Sequence, residues 1–311
     1  MQAAPGAPFS TGNSVRVGII PGTGDLHLIT VFGGERVVPV FADTAEVLAD
    51  ALRACGLNVR VASNVIARSG VNYVMGAHTI TSDAVLRALP ANAVIVNSEP
   101  IAQPGQVRVL WQSLAIAAHG RVWWDYSQRN LRALAATPIR PSATRWVPIG
   151  AATGVTPVTP HAEQDIDVLF YGGLSDRRAH VLRECEALSL RLEVRSAGCF
   201  GQIRDELFAR SKVILNLGSV DNSVFEQYRV SYAMSRGMCV VTEWSDDEGL
   251  PTAYLEGLRV AQYDDLARTC HALCNDAPAR ASLSAAAANA VRAVSTRAAV
   301  AAAIGFVERS A

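Results

Sequence analysis

The strongest constraint on this chain is an alternation that occurs twice. Short runs rich in valine and isoleucine alternate with stretches of helical period, and a segment rich in Gly, Thr and Pro, "GAATGVTPVTPHAEQD" (Gly150 to Asp165), divides the two series. The first series holds the strand candidates "VRVGII" (followed by the turn "PGTGD"), "NVRVAS", "VNYVMGAH", "NAVIVNSEP", "RVWWDYS" and "TRWVPIG". Between some of them lie the helix candidates "TAEVLADALRACG", "TSDAVLRAL" and "SQRNLRALA". The second series runs "DVLFYGG", "DRRAHVLRECEALS", "RLEVRSA", "IRDELFARS", "KVILNLGS", then "SVFEQYRVSYAMSRGMCVVTE", "RVAQYDDLARTCHALCND" and an alanine-rich terminal helix. Parallel strands need helical crossovers, so repeated strand–helix alternation predicts an α/β fold with parallel sheets. Solid apolar strands such as "MCVVT" fit sheets covered on both faces. The expected architecture is two doubly wound, Rossmann-like domains. The expected limits are a flexible tail at 1–14, an N-terminal domain at 15–150, a linker at 151–165 and a second domain at 166–285. A helix at 286–311 is placed to pack back on the first.

With 311 residues, 50% of them hydrophobic, the chain can bury a large core. The formal net charge of zero excludes a sequence-wide basic field for nucleic acid or an anionic membrane. Lys212 is the sole lysine, so a phosphate site must use arginine, backbone amides or helix ends. Cys55, Cys185, Cys199, Cys239, Cys270 and Cys274 lack zinc-ribbon spacing and read as buried thiols of a reducing compartment. No apolar run reaches transmembrane length, and a cytoplasmic location is expected.

Ligands of open α/β sheets bind at the carboxyl ends of the strands. In the second series, "DVLFY" runs into Gly172 and Gly173 and a helix start carrying Arg177 and Arg178. "KVILNL" runs into Gly218 and a polar turn ending at Ser223, then a helix carrying Glu226 and Arg229. "MCVVT" runs into Glu243 and the acidic turn "WSDDEG". A glycine turn before a helix N-terminus suits a phosphate, arginine suits a diphosphate, and a carboxylate can accept both hydroxyls of a ribose. Each residue also has a plainer reading. Ser223-Val-Phe-Glu226 fits a capping box, Arg177 and Arg178 read as solvated helix charges, and Glu243 as a loop residue.

Taken in order, "DIDVLFYGGLSDRRAHVLR", "FGQIRDELFARSKVILNLGS" and "FEQYRVSYAMSRGMCVVTE" resemble the C-terminal donor domain of bacterial GT-B glycosyltransferases. "RVWWDYSQRNLRALA" with "RWVPIG" resembles the end of their N-terminal domain, and "LRVAQYDDLAR" the segment after the ribose site, so the likeness covers about residues 121 to 268. The resemblance implies a nucleoside-diphosphate sugar as donor substrate, no cofactor, no obligatory metal, and Glu226 as the ribose ligand. Many retaining members pair two glutamates eight apart; here Gly218 stands at that place. A non-catalytic nucleotide-sugar-binding protein and a nucleotide-sugar epimerase of the same architecture therefore stay open. So does the acceptor: saccharide, lipid-linked or protein.

In the first series, "GIIPGTGD" lacks the Gly-Lys-Ser/Thr of a P-loop, and His27 stands where a dinucleotide fingerprint needs its third glycine. The GT-B resemblance implies that this turn faces the cleft between the domains and holds the acceptor, with His27 behind it. Glu99 and His78 also follow strands. A carboxylate or imidazole at a strand end can take a proton from an acceptor hydroxyl, which ranks Glu99, His78 and His27 as candidate bases in that order. Asp246 and Asp247 read as a solvated loop rather than a metal motif.

Overall fold

The computed structural model describes residues 17–35, 38–101, 108–221, 223–243 and 251–310. The tail at 1–14 and the turn "WSDDEG" with Asp246 and Asp247 lie outside them. In chain order the strands are β1 (Gly18–Ile20), β2 (Leu26–Val31), β3 (Asn58–Ser63), β4 (Val65–Ala67), β5 (Val71–Met75), β6 (Val94–Asn97), β7 (Val122–Asp125), β8 (Ala143–Trp146), β9 (Ile166–Tyr171), β10 (Leu192–Arg195), β11 (Ser211–Asn216), β12 (Val240–Glu243) and β13 (Arg259–Ala261). The helices are α1 (Val38–Arg53), α2 (Asp83–Arg87), α3 (Arg108–Ala118), α4 (Gln128–Ala133), α5 (Asp176–Ala187), α6 (Gly201–Arg210), α7 (Gln227–Ser235), α8 (Thr252–Glu256), α9 (Leu266–Cys274), α10 (Ala277–Ala293) and α11 (Thr296–Ser310).

Two parallel sheets result. The first runs β3-β2-β5-β6-β7-β8 and the second β10-β9-β11-β12-β13. Both are covered on both faces, which is why their strands are apolar at consecutive positions. In the first sheet, Tyr73, Met75 and Trp124 face α1 and α11, while Val74 and Trp123 face the α3 side. In the second, Leu169, Ile214 and Val240 pack with residues of α6, α7 and α10, and Val168, Val213 and Val241 with residues of α5 and α9. Each such fully buried large side chain contributes about 1.5–3 kcal/mol.

The structure corrects the sequence reading at the start of the chain. The first strand of the main sheet is "LHLITV" at β2. "GII" forms only the short β1, paired with β4 outside that sheet. The "PGTGD" turn therefore precedes β2 and sits at its amino end, away from the carboxyl edge. The alanine-rich tail is also broken. Val294 is extended, α10 packs on α7 and α8, and α11 packs on α1. Thr296 stops α10 from running on, because its Oγ1 accepts from Gly150 N (2.7 Å) and donates to Pro148 O (2.9 Å). A Cβ at Gly150 would lie 2.4 Å from Val294 O, so only glycine lets the two passages of chain cross here.

Candidate active site

In the second sheet the strand order reverses between β9 and β11, and their carboxyl ends open the crevice where such sheets bind ligands. Gly172, after β9, has φ +148°, and a Cβ there would lie 2.7 Å from Arg229 Nη2. The glycine thus makes room for a guanidinium. Arg229 in turn packs against Glu226 as an ion pair and donates to Asn216 Oδ1 at 3.3 Å. Ser175 caps α5 by accepting from Arg178 N and ties the turn to the next loop by donating to Ser219 O at 3.0 Å.

The two arginines at the start of α5 do different things. Arg177 forms a two-pronged ion pair with Glu243, donates to Gly218 O at 3.2 Å and lies 3.9 Å from the Tyr263 ring centre. Glu243 Oε2 also accepts from Gly218 N at 2.9 Å, so it fixes the loop after β11 rather than sitting free. Arg178 is only 4% exposed. Its Nε and Nη2 donate to Leu217 O, Nη1 to Gly173 O at 2.8 Å, and Nη2 to Glu226 Oε1 at 2.8 Å. Burial lowers its pKa, against the opposing charge of Glu226. The reading of Arg178 as a solvated charge is corrected. It is a buried clamp whose donors face two backbone carbonyls and Glu226.

The capping box is corrected too. Glu226 itself is the N-cap of α7 and makes no side-chain cap bond, while Ser223 Oγ donates to Val220 O at 2.7 Å. The Glu226 carboxylate points the other way, between Arg178 and Arg229. Its Oε2 is buried against Arg229 without a hydrogen bond of ordinary geometry.

The first sheet brings two sequence candidates together. His78 follows β5 and Glu99 follows β6, and His78 Nε2 lies 3.3 Å from Glu99 Oε1. Asn97, at the end of β6, grips the Glu99 backbone, and so does Asn130 on α4. Both asparagines donate to Asp125, at the end of β7, as do Trp123 Nε1 and Ser127 N. Burial pushes the Asp125 carboxyl up to about 7, against those four donated bonds. His27 is not part of this group. It is the second residue of β2, at the amino end of the sheet, and its Nδ1 pairs with Tyr73 Oη at 3.1 Å. The register of β2 therefore places His27 at the opposite end of the sheet from His78 and Glu99.

The start of α7 joins the two edges. Gln227 accepts from Ile149 N and donates to Tyr126 O, and Tyr228 Oη donates to Asn97 O at 2.6 Å. The Tyr126 and Tyr228 rings meet edge-on at 4.7 Å. Burial first, then the charges of Asp125, Glu99 and Glu226 among others, push the Tyr126 hydroxyl well above its ordinary pKa. Both sets of carboxylates thus act on one ring. On the other side of α7, Arg204 of α6 bonds Asp43 of α1 at 2.8 Å and stacks 3.3 Å over Tyr232. Sequence reading missed Asn97, Asp125, Asn130, Tyr228, Asp43 and Arg204. Asp125 carried a usable signal, since it ends "RVWWD" as Glu99 follows "VIVNS".

No protein-family model and no curated protein matches the sequence. Solved structures do match the fold. HepE from Anabaena, solved with UDP and glucose, is 11% identical, aligns over 91% of this chain and 99% of its own, and has a TM-score of 0.62. Sucrose-phosphate synthase from Thermosynechococcus elongatus is 12% identical over 91% and 98%, with a TM-score of 0.58. AviGT4, a glycosyltransferase of avilamycin A biosynthesis, is 14% identical over 91% and 97%, with a TM-score of 0.55. The fold is GT-B, as the sequence resemblance implies. Among the described residues no helix is long and apolar enough to cross a membrane.

Proposed function

We propose that the chain is a glycosyltransferase that moves a sugar from a nucleoside-diphosphate donor to an acceptor hydroxyl without a metal. The observation that carries this reading is the meeting of two strand-end clusters across Tyr126 and Tyr228: Glu226 between two arginines on one side, His78 with Glu99 on the other. The part-exposed Glu226 carboxylate is the acceptor for the ribose hydroxyls. The N-terminus of α5 and the Arg177 guanidinium face the diphosphate, stabilising negative charge as it leaves. Glu99, with His78 beside it, takes the acceptor proton. UDP is the first nucleotide to test, because HepE was solved with it.

Glu226→Gln keeps a hydrogen bond to Arg178 but loses the charge. UDP affinity measured by calorimetry is expected to fall about tenfold to a hundredfold, for a lost charged hydrogen bond of about 1.5–3 kcal/mol. A lower melting point with unchanged affinity would remove the donor from this edge. Gly218, in the place of a second glutamate, favours a non-catalytic nucleotide-sugar-binding protein as the second reading. UDP binding with no consumption of UDP-sugars, with or without acceptors, would select it.

A further inference from the structure

Glu99 is held by its backbone. Asn97 Nδ2 donates to Glu99 O at 2.8 Å and Asn97 Oδ1 accepts from Glu99 N at 3.1 Å. Asn130 Nδ2 donates to the same carbonyl at 2.9 Å. Inside the first sheet, Asn97 is anchored by Asp125 at 2.8 Å and is 1% exposed. Its backbone carbonyl accepts from Tyr228 Oη at 2.6 Å, and Tyr228 lies two residues after Glu226 in the other half of the molecule. Phenylalanine at 228 would keep the ring contact with Tyr126 and remove only that bond. It would remove that donor from the strand end from which Glu99 hangs.

We propose that Tyr228 is a positioning residue that sets Glu99 through Asn97, so that the acceptor-side geometry depends on the seating of the donor-side helix α7. The inference rests on the reading of Glu99 as the acceptor-side base. Gln227 provides the control, because it also ties α7 to the first half, through Ile149 and Tyr126, without bonding Asn97. A role confined to holding the halves together would make the two residues equivalent.

The experiment compares Tyr228→Phe, Gln227→Met, Glu99→Gln and the Tyr228→Phe/Glu99→Gln double variant. Amide hydrogen exchange is read at Glu99 and Ile101, whose N–H groups bond Asn97 Oδ1 and Glu99 O. Tyr228→Phe is expected to speed exchange at these two amides about tenfold, leaving Val94 to Val96 and the Gln227→Met protein unchanged there. In UDP-glucose hydrolysis, with water as acceptor, Tyr228→Phe should lower kcat about tenfold with KM within about twofold. The double variant should be no slower than Glu99→Gln. Unchanged exchange at Glu99 and Ile101 overturns the proposal whatever the turnover, and so do independent, multiplying effects in the double variant. Full turnover by Glu99→Gln instead removes Glu99 as the base, while the exchange result still reports whether Tyr228 sets its position.

Discussion

The carboxyl edges of the two sheets hold their glutamates by different chemistry. On the second, Glu226 and Glu243 are gripped by the guanidinium groups of Arg177, Arg178 and Arg229. On the first, Glu99 is gripped through its backbone by the amides of Asn97 and Asn130, which a single buried carboxylate, Asp125, orients. A guanidinium–carboxylate contact fixes the charged atoms themselves and keeps a cation beside them, which suits the proposed role of this edge in holding a diphosphate. An amide clamp fixes the main chain and leaves the Glu99 carboxylate to its contacts with His78 and Ser98. The two edges therefore differ in what they immobilise, and removal of one clamp on each side tests that difference.

The largest expected effect is on the ionic side. Arg178→Met keeps the apolar stem but leaves Glu226, Leu217 O and Gly173 O without their shared donor. Breaking a buried pair on one side costs about 3–5 kcal/mol, which a urea denaturation midpoint will show. A loss under about 1 kcal/mol would mean that Arg178 is not the clamp and would erase the contrast with Asn97.

The amide side should show itself in pH dependence. Asp125 has its carboxyl raised from 3.8 to about 7 in the folded chain. Between those values the native state holds a proton that the unfolded chain has released, so stability falls as pH rises from about 4 to about 7 and levels off above. This contribution amounts to as much as about 4 kcal/mol. Unfolding free energies measured across that range should lose this slope in Asp125→Asn. A slope that survives the substitution belongs to another group.

A smaller effect sharpens the role of the glycine turn. Gly172→Ala drives a methyl into Arg229 and adds a strained backbone, so it should lower UDP affinity about tenfold and stability by about 1–3 kcal/mol. Equal affinity in calorimetry would show that Arg229 can move aside at no loss to the ligand.

The second half was the more legible in sequence. "DVLFYGG", "KVILNLGS" and "MCVVTE" are solid apolar runs that stop at glycine or charge, and each strand lies where that pattern puts it. In the first half, "VRVGII" showed the more regular alternation and drew the first strand away from "LHLITV", where His27 and Thr30 interrupt the apolar run. Pairing decides between the two, since β2 bonds β3 and β5 while β1 bonds only β4, and pairing is not written in either segment alone. The burial of Arg178 was hidden for a similar reason. Adjacent arginines look alike in sequence, yet successive positions on a helix turn through about 100°, and only the second faces the sheet. The break at Val294 leaves no glycine or proline behind. It comes from Thr296 bonding residues almost 150 positions earlier.

That crossing has a mechanical consequence. The polypeptide passes between the halves twice, at Gly150 and at Val294 to Thr296, and the two passages are pinned side by side by one threonine hydroxyl. A single passage would be a universal joint, free to swing and to twist. Two passages pinned side by side resist that twist, as a second screw does in a bracket. The Arg204–Asp43 and Tyr228–Asn97 contacts tie the same two halves at further points.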